Sequence, residues 1–207
     1  MNDYHVVLGG ISVLLALLAY GLYIRSIVAG STKPHPFTWF LFVVLDSTVF
    51  FAQITSGGGA GAWITGVSAA LNVVVFLLAF TRGEQRITRF DWLCLGFGLA
   101  GIVLWWLTSQ PLAGVVLASL ADAIAKIPTI RKSLLRPEEE SITIWSFDII
   151  IFSLSIAALG IFSWTTVLFP AEVILTNSLL AGLIFVRRRQ LARLVEFRLA
   201  EGEINKR

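Results

Sequence analysis

The chain has 207 residues, 57% hydrophobic and 14% charged, with a formal net charge of +3, a mean hydropathy of +0.82 and a pI near 9.4. Soluble domains average about 45–50% apolar and about 25% charged residues, so a disordered chain, a disulfide scaffold and a nucleic-acid-binding globule are excluded as primary readings. The only cysteine, Cys94, has no partner for an intrachain disulfide, and the basic residues point to a membrane because of where they fall.

A bilayer core of about 30 Å takes roughly 20 apolar residues per helix. Seven such runs follow in chain order, at residues 7–29, 37–56, 60–80, 91–108, 111–130, 142–162 and 165–186. The first is long, has no basic stretch before it and no A-x-A-like cleavage site after it, so it reads as a span and not as a signal peptide. The connections are short and leave no room for a soluble domain. Beyond the runs lies mainly a basic tail, 187–207.

Arg25 borders the first connection, which also holds Lys33. The third holds Arg82, Arg86 and Arg89, and the fifth holds Arg131, Lys132 and Arg136. The tail adds Arg187, Arg188, Arg189, Arg193, Arg198, Lys206 and Arg207. Of the 16 basic residues only Lys126, within the fifth run, is not on this side. The opposite side (the N-terminus, Gly57–Gly61, Ser109–Pro111 and Ser163) has no basic residue. The positive-inside rule therefore predicts an outside N-terminus and a cytoplasmic C-terminus, which needs an odd number of spans. The expected location is the plasma membrane, a bacterial inner membrane. In the tail, Leu191, Leu194, Val195, Arg198 and Leu199 have helical spacing. An interfacial helix on anionic lipid and a solvated helical extension both stay open.

The first three and last three runs match at a nearly constant offset. Ile24-Arg25 and Ile130-Arg131 lie 106 positions apart, as do Trp39 and Trp145, and Asn72 and Asn177 lie 105 apart. Each Asn is followed ten residues later by an arginine, Arg82 or Arg187. The predicted fold is all-α: seven transmembrane helices, 3+1+3, with three-helix repeats at 7–80 and 111–186 joined by a linker span at 91–108. One connecting span gives the two repeats the same orientation, so they are parallel.

This layout resembles the SWEET sugar transporters, their half-size SemiSWEET relatives and the wider PQ-loop group, over residues 7–186. Ile127-Pro128-Thr129-Ile130-Arg131-Lys132 resembles the proline–glutamine run that ends the first helix of a PQ-loop unit, with Thr129 in place of glutamine. The first repeat has Leu22-Tyr23 there and no proline. The resemblance implies alternating-access transport, with the Asn of each third helix, Asn72 and Asn177, against the solute. It also implies a tryptophan on the solute from each second helix and four gate prolines. Trp39 and Trp145 instead stand at the cytoplasmic ends of their runs, where they read as belt residues; Phe50, Phe51 and Phe152 hold the mid-helix places, and only Pro128 is clearly present as a gate proline. Trp39, Trp145, Pro128 and Lys126 are thus expected in structural or gating roles.

An ionisable side chain inside a membrane is a site hypothesis by default, and five fall within the runs: Asp46, Asp122, Lys126, Asp148 and Glu172. Asp46 lies halfway along its run and shares a helical face with Gln53, two turns on. Thr65, Ser68 and Asn72 form a second polar stripe. Trp145, Asp148, Phe152 and Ser155 share a third face. The expected solute-binding set is Asn72, Asn177, Asp46, Gln53, Ser68 and Asp148, with Asp46 and Asp122 as proton-coupling candidates. Asp122 and Lys126, four apart, can pair, or Lys126 can snorkel to the cytoplasmic edge. Asp148 can alternatively orient the cytoplasmic loop. The carboxylates fit a charged or proton-coupled solute better than a sugar, as in the lysosomal amino-acid exporters of the PQ-loop group.

No enzyme signature is present. His5 and His35 lie at opposite ends and cannot share a metal, Gly57-Gly58-Gly59 is an outer turn with no phosphate-loop context, and Cys94 reads as packing. No cofactor is expected, and the expected partners are a small polar solute and the bilayer, with a homo-oligomer left open. The alternative is a non-transporting multi-pass protein: a sensor, an assembly factor or a lipid-interacting module. The carboxylates also permit an intramembrane enzyme acting on lipids.

Overall fold

The computed structural model describes residues 3–108 and 110–204. Seven α-helices follow in order: α1 (Asp3–Val28), α2 (Pro36–Thr55), α3 (Trp63–Arg82), α4 (Arg89–Thr108), α5 (Pro111–Leu135), α6 (Ile142–Ala157) and α7 (Trp164–Ile204). Single 3-10 turns occupy Gly59–Ala62 and Pro137–Glu139, and the described residues contain no strand. Pro36 and Pro111 stand at the first positions of α2 and α5, where the missing N–H has no helical partner to lose. Gly57 and Gly59, with φ of 79° and 57°, make the tight reversal from α2 to α3 that other residues adopt only with strain.

Five segments are long and apolar enough to cross a membrane: Asp3–Val28, Pro36–Thr55, Gly59–Arg82, Leu112–Leu135 and Trp164–Leu194. The apolar helix α6 is shorter, at 16 residues. Polarity is arranged inside out. Leu14, Phe51, Leu77, Leu175 and Leu179 are all at least 60% exposed, while Asp46, Gln53, Asn72, Asp122, Lys126 and Asn177 are buried. Water would penalise such an exterior, whereas hydrocarbon favours it and drives polar groups to the bundle interior.

Three helix boundaries differ from the sequence expectation. Helix α5 continues past residue 130 to Leu135, so Arg131 and Lys132 sit on its last turns and not in a loop. Helix α6 ends at Ala157. Helix α7 passes residue 187 without a break and runs to Ile204, so the described part of the tail, residues 187–204, is a helical extension and not a separate interfacial helix. The side chains of Val195, Arg198 and Leu199, and all of Ser109, Lys206 and Arg207, lie outside the described residues.

The packing pattern is paired. Helix α1 packs on α3, and α5 on α7; α2 packs on α3, and α6 on α7; α1 crosses to α6, and α2 to α5. Helix α4 lies along α5 and touches α2. Close approach at the glycine-rich end depends on missing side chains. A Cβ on Gly9 would lie 2.7 Å from the Ala60 carbonyl oxygen, and one on Gly61 would lie 2.8 Å from that of Ser155. Ser155 Oγ uses that proximity to donate to the Gly61 carbonyl at 2.8 Å.

The basic end is closed by ion pairs between distant segments. Lys33 pairs with Glu139 at 2.7 Å and Lys132 with Glu140 at 2.6 Å. Arg131 reaches Asp91 at 2.8 Å, and Arg136 bridges Glu139 and Glu84. Lys33 and Glu139 lie 106 positions apart, so residues at equivalent places in the two halves touch one another here. His35, fully buried, lies 3.6 Å from Asp91. Burial pushes its imidazole down to about 4, and the attraction of Asp91 does not offset this. Burial works against the Glu84 carboxylate as well, but the Arg86 N–H and the Arg136 guanidinium outweigh it and hold Glu84 below its ordinary value.

A pH prediction follows for this end. An unfolded histidine takes up its proton near pH 6.5, and folded His35 resists until about pH 4. Between those values the unfolded chain binds more protons, so stability falls as pH drops through the window. The Glu84 contribution is present above the ordinary carboxylate range and is lost as pH falls through its depressed folded value. Melting temperatures in detergent should decline from pH 6.5 to 4, and His35→Gln should flatten the decline. Parallel wild-type and variant profiles would count against a buried neutral His35.

Candidate functional site

Six helices converge on a central cavity. Helix α1 contributes Tyr20, and α5 contributes Asp122 and Lys126. Trp39, Phe42 and Asp46 come from α2, and Trp145, Asp148 and Phe152 from α6. Ser68 and Asn72 come from α3, and Val173 and Asn177 from α7. Within each helix these residues recur at three- or four-residue steps, which puts them on one face. The space open to a water centre is about 20 Å3, room for roughly one water.

Two amide–carboxylate pairs lie within the lining. Asn72 Nδ2 donates to Asp46 Oδ2 at 2.9 Å, and the Tyr20 hydroxyl donates to Asn72 Oδ1 at 2.6 Å. On the other side Asn177 Nδ2 donates to Asp148 Oδ2 at 3.3 Å, and Asn177 Oδ1 is buried with no partner. Lys126 is tied to Asp122, donates to Thr176 Oγ1 at 2.6 Å, and lies 3.8 Å from Glu172 Oε1. Its ammonium also stands 5.6 Å from the centre of the Phe42 ring, within cation–π range. The Trp39 and Trp145 rings meet with centroids 6.2 Å apart.

Nearly all of the lining follows the offset read in the sequence. Tyr20 corresponds to Lys126, Trp39 to Trp145, Phe42 to Asp148 and Asp46 to Phe152, each 106 apart. Ser68 corresponds to Val173 and Asn72 to Asn177, each 105 apart. Phe and Asp exchange places between α2 and α6, so each of these two helices supplies one phenylalanine ring and one carboxyl, at different heights. Only Asp122 stands alone, opposite the buried alanine Ala16. The result is an aromatic-walled chamber with hydrogen-bonding groups from both halves and one cation, Lys126.

Of the residues predicted for the site, Asn72, Asn177, Asp46, Ser68 and Asp148 come together at this cavity, as does Asp122. Gln53 does not. It accepts a hydrogen bond from Thr65 Oγ1 at 2.9 Å, because seven residues of helix set it about 10 Å beyond Asp46 along the axis. The belt assignment of Trp39 and Trp145 is also corrected: they are 2% and 1% exposed and line the cavity. Lys126 does not snorkel, being 2% exposed and held by partners on α5 and α7. Asp148 faces the cavity and bonds Asn177, and among the described residues no bond ties it to the loop at the basic end. Pro128 lies within a helix that continues beyond it, and α7 carries a second internal proline, Pro170. Tyr20 and Phe42 escaped the sequence reading. The signal that finds them is the offset itself, applied to Lys126 and Asp148.

Comparison with family models, with curated proteins and with solved structures found no match to this chain.

Proposed function

We propose that this protein moves a small polar solute across a membrane by alternating access between two parallel three-helix units, α1–α3 and α5–α7, with α4 as the linker span. The observation that carries this reading is the lining: twelve residues fall into six pairs at an offset of 105 or 106. A cavity built that way lies near an axis relating two like units, where parallel-repeat transporters hold their solutes. The paired packing of α1–α3 and α5–α7 and the resemblance to SWEET and PQ-loop proteins support the same reading. Room for about one water fits a conformation closed at both ends; rocking of the units would open the chamber. Opening the basic end would part Lys33 from Glu139 and Arg136 from Glu84.

The solute is polar and carries a positive or ionisable group, since three carboxyls and one ammonium line the chamber. Asp46 is the proton-coupling residue, because its described hydrogen-bond partner is the neutral amide of Asn72, whereas Asp122 is tied to Lys126. Flux into proteoliposomes, with panels of sugars, amino acids and vitamins, tests the proposal. Asp46→Asn should keep exchange and lose its dependence on a pH gradient. Absence of flux across all panels would favour the alternative of a non-transporting membrane protein, to which the small volume of the chamber also lends weight.

Topology is tested separately. With the N-terminus outside, a cysteine at Phe162, an exposed position in the connection between α6 and α7, should react with an impermeant reagent from outside, and one at Lys206 only from the cytoplasm. Reaction of both from one side would overturn the odd span count.

A further inference from the structure

Between α5 and α7 the outside of the bundle opens into a groove of about 480 Å3, within the about 300–1,000 Å3 typical of small-molecule sites. Its walls are apolar, and Leu120 and Leu175 in the lining are 57% and 62% exposed. Three polar side chains stand among them, and Thr176 already has partners, accepting from Lys126 and donating to the Glu172 carbonyl. Both oxygens of Glu172 are buried without a hydrogen-bond donor, and Ser119 Oγ, on a residue only 6% exposed, is buried without a partner. The Lys126 ammonium is 3.8 Å from Glu172 Oε1, and its hydrogen bonds go to Asp122 and Thr176. One ammonium therefore stands among two carboxyls, and the residues lining the groove include no cation. Buried acceptors in apolar surroundings are costly until they are satisfied.

We propose that this groove binds a membrane-dissolved amphiphile bearing a protonated primary amine. The ammonium donates to Glu172 and Ser119, and the hydrocarbon lies along Val116, Leu120, Leu168 and Leu175. An amine there competes with Lys126 for Glu172, and Lys126 lines the central cavity, so occupancy is felt at the chamber. The inference needs only that α5 and α7 face a bilayer, and it stands or falls apart from solute transport.

The test uses a photoreactive dodecylamine, and the dodecanol of the same design, with the full chain in phosphatidylcholine nanodiscs. The amine should label peptides carrying Leu120 and Leu175, and excess unlabelled dodecylamine, but not dodecanol, should suppress the labelling. Glu172→Gln should reduce labelling at least about tenfold, the loss expected for a hydrogen bond to a charged group. Equal labelling by amine and alcohol, or suppression by both, would overturn the proposal without any variant. So would labelling that survives in a folded Glu172→Gln protein.

Discussion

Lys126→Met should be the most damaging single substitution in the bundle, at about 3–5 kcal/mol, the usual cost of removing one partner from a buried charge pair. Lys126 is 2% exposed, bonded to Asp122 and Thr176 and close to Glu172. Removing its ammonium leaves two carboxyls with no nearby cation. The cost is capped because a stranded carboxyl takes up a proton, which is also why a repair is available. In an Asp122→Asn, Glu172→Gln background the same Lys126→Met change should cost about 1 kcal/mol or less, since neighbouring effects are non-additive. Unfolding in detergent, for wild type, both single-step proteins and the combined variant, measures this directly. If Lys126→Met alone melts like wild type, the ammonium is not what allows these acids to be buried.

Asn72→Ala is the second large effect, about 2–3 kcal/mol of stability. Asn72 connects Tyr20 on α1 to Asp46 on α2 through two hydrogen bonds. Its removal leaves a buried hydroxyl donor and a buried carboxyl acceptor unsatisfied, each worth about 1–3 kcal/mol at most. Asn177→Ala removes one longer bond, to Asp148, and its own Oδ1 has no partner, so its cost should be about 1 kcal/mol or less. The unused acceptor of Asn177 points to a different balance for solute binding. Once a transported solute is identified, both variants should lose affinity by about 1–3 kcal/mol. Unequal stability with equally impaired affinity is the expected signature. Unchanged affinity in both would make the two asparagines helix-packing residues, and equal stability losses would remove the distinction between the two pairs.

Much of the cavity was legible because its chemistry conflicts with its surroundings. Asp46, Asp148, Asn72 and Asn177 stand out in apolar runs, where a polar side chain has little reason to face lipid. Tyr20 and Phe42 were not legible in that way, because an aromatic residue in an apolar helix conflicts with nothing. Gln53 shares the face of Asp46, but a helical face has no end. How far along it the cavity extends depends on the levels of α3 and α6.

The helices and the grouping of the basic residues at one end follow from the order of residues along the chain. Without water, the backbone must satisfy its hydrogen bonds within each segment, so length and apolarity suffice to predict a helix. The tertiary structure alone decided the rotation and depth of each helix. It turned Trp39 against Trp145, carried α5 on to Leu135, and set Thr176 and Glu172 of α7 beside Lys126. Those outcomes depend on partners dozens of residues away. Local periodicity gives a helix its faces, and only packing against the other helices selects which face meets lipid, a neighbour or the cavity.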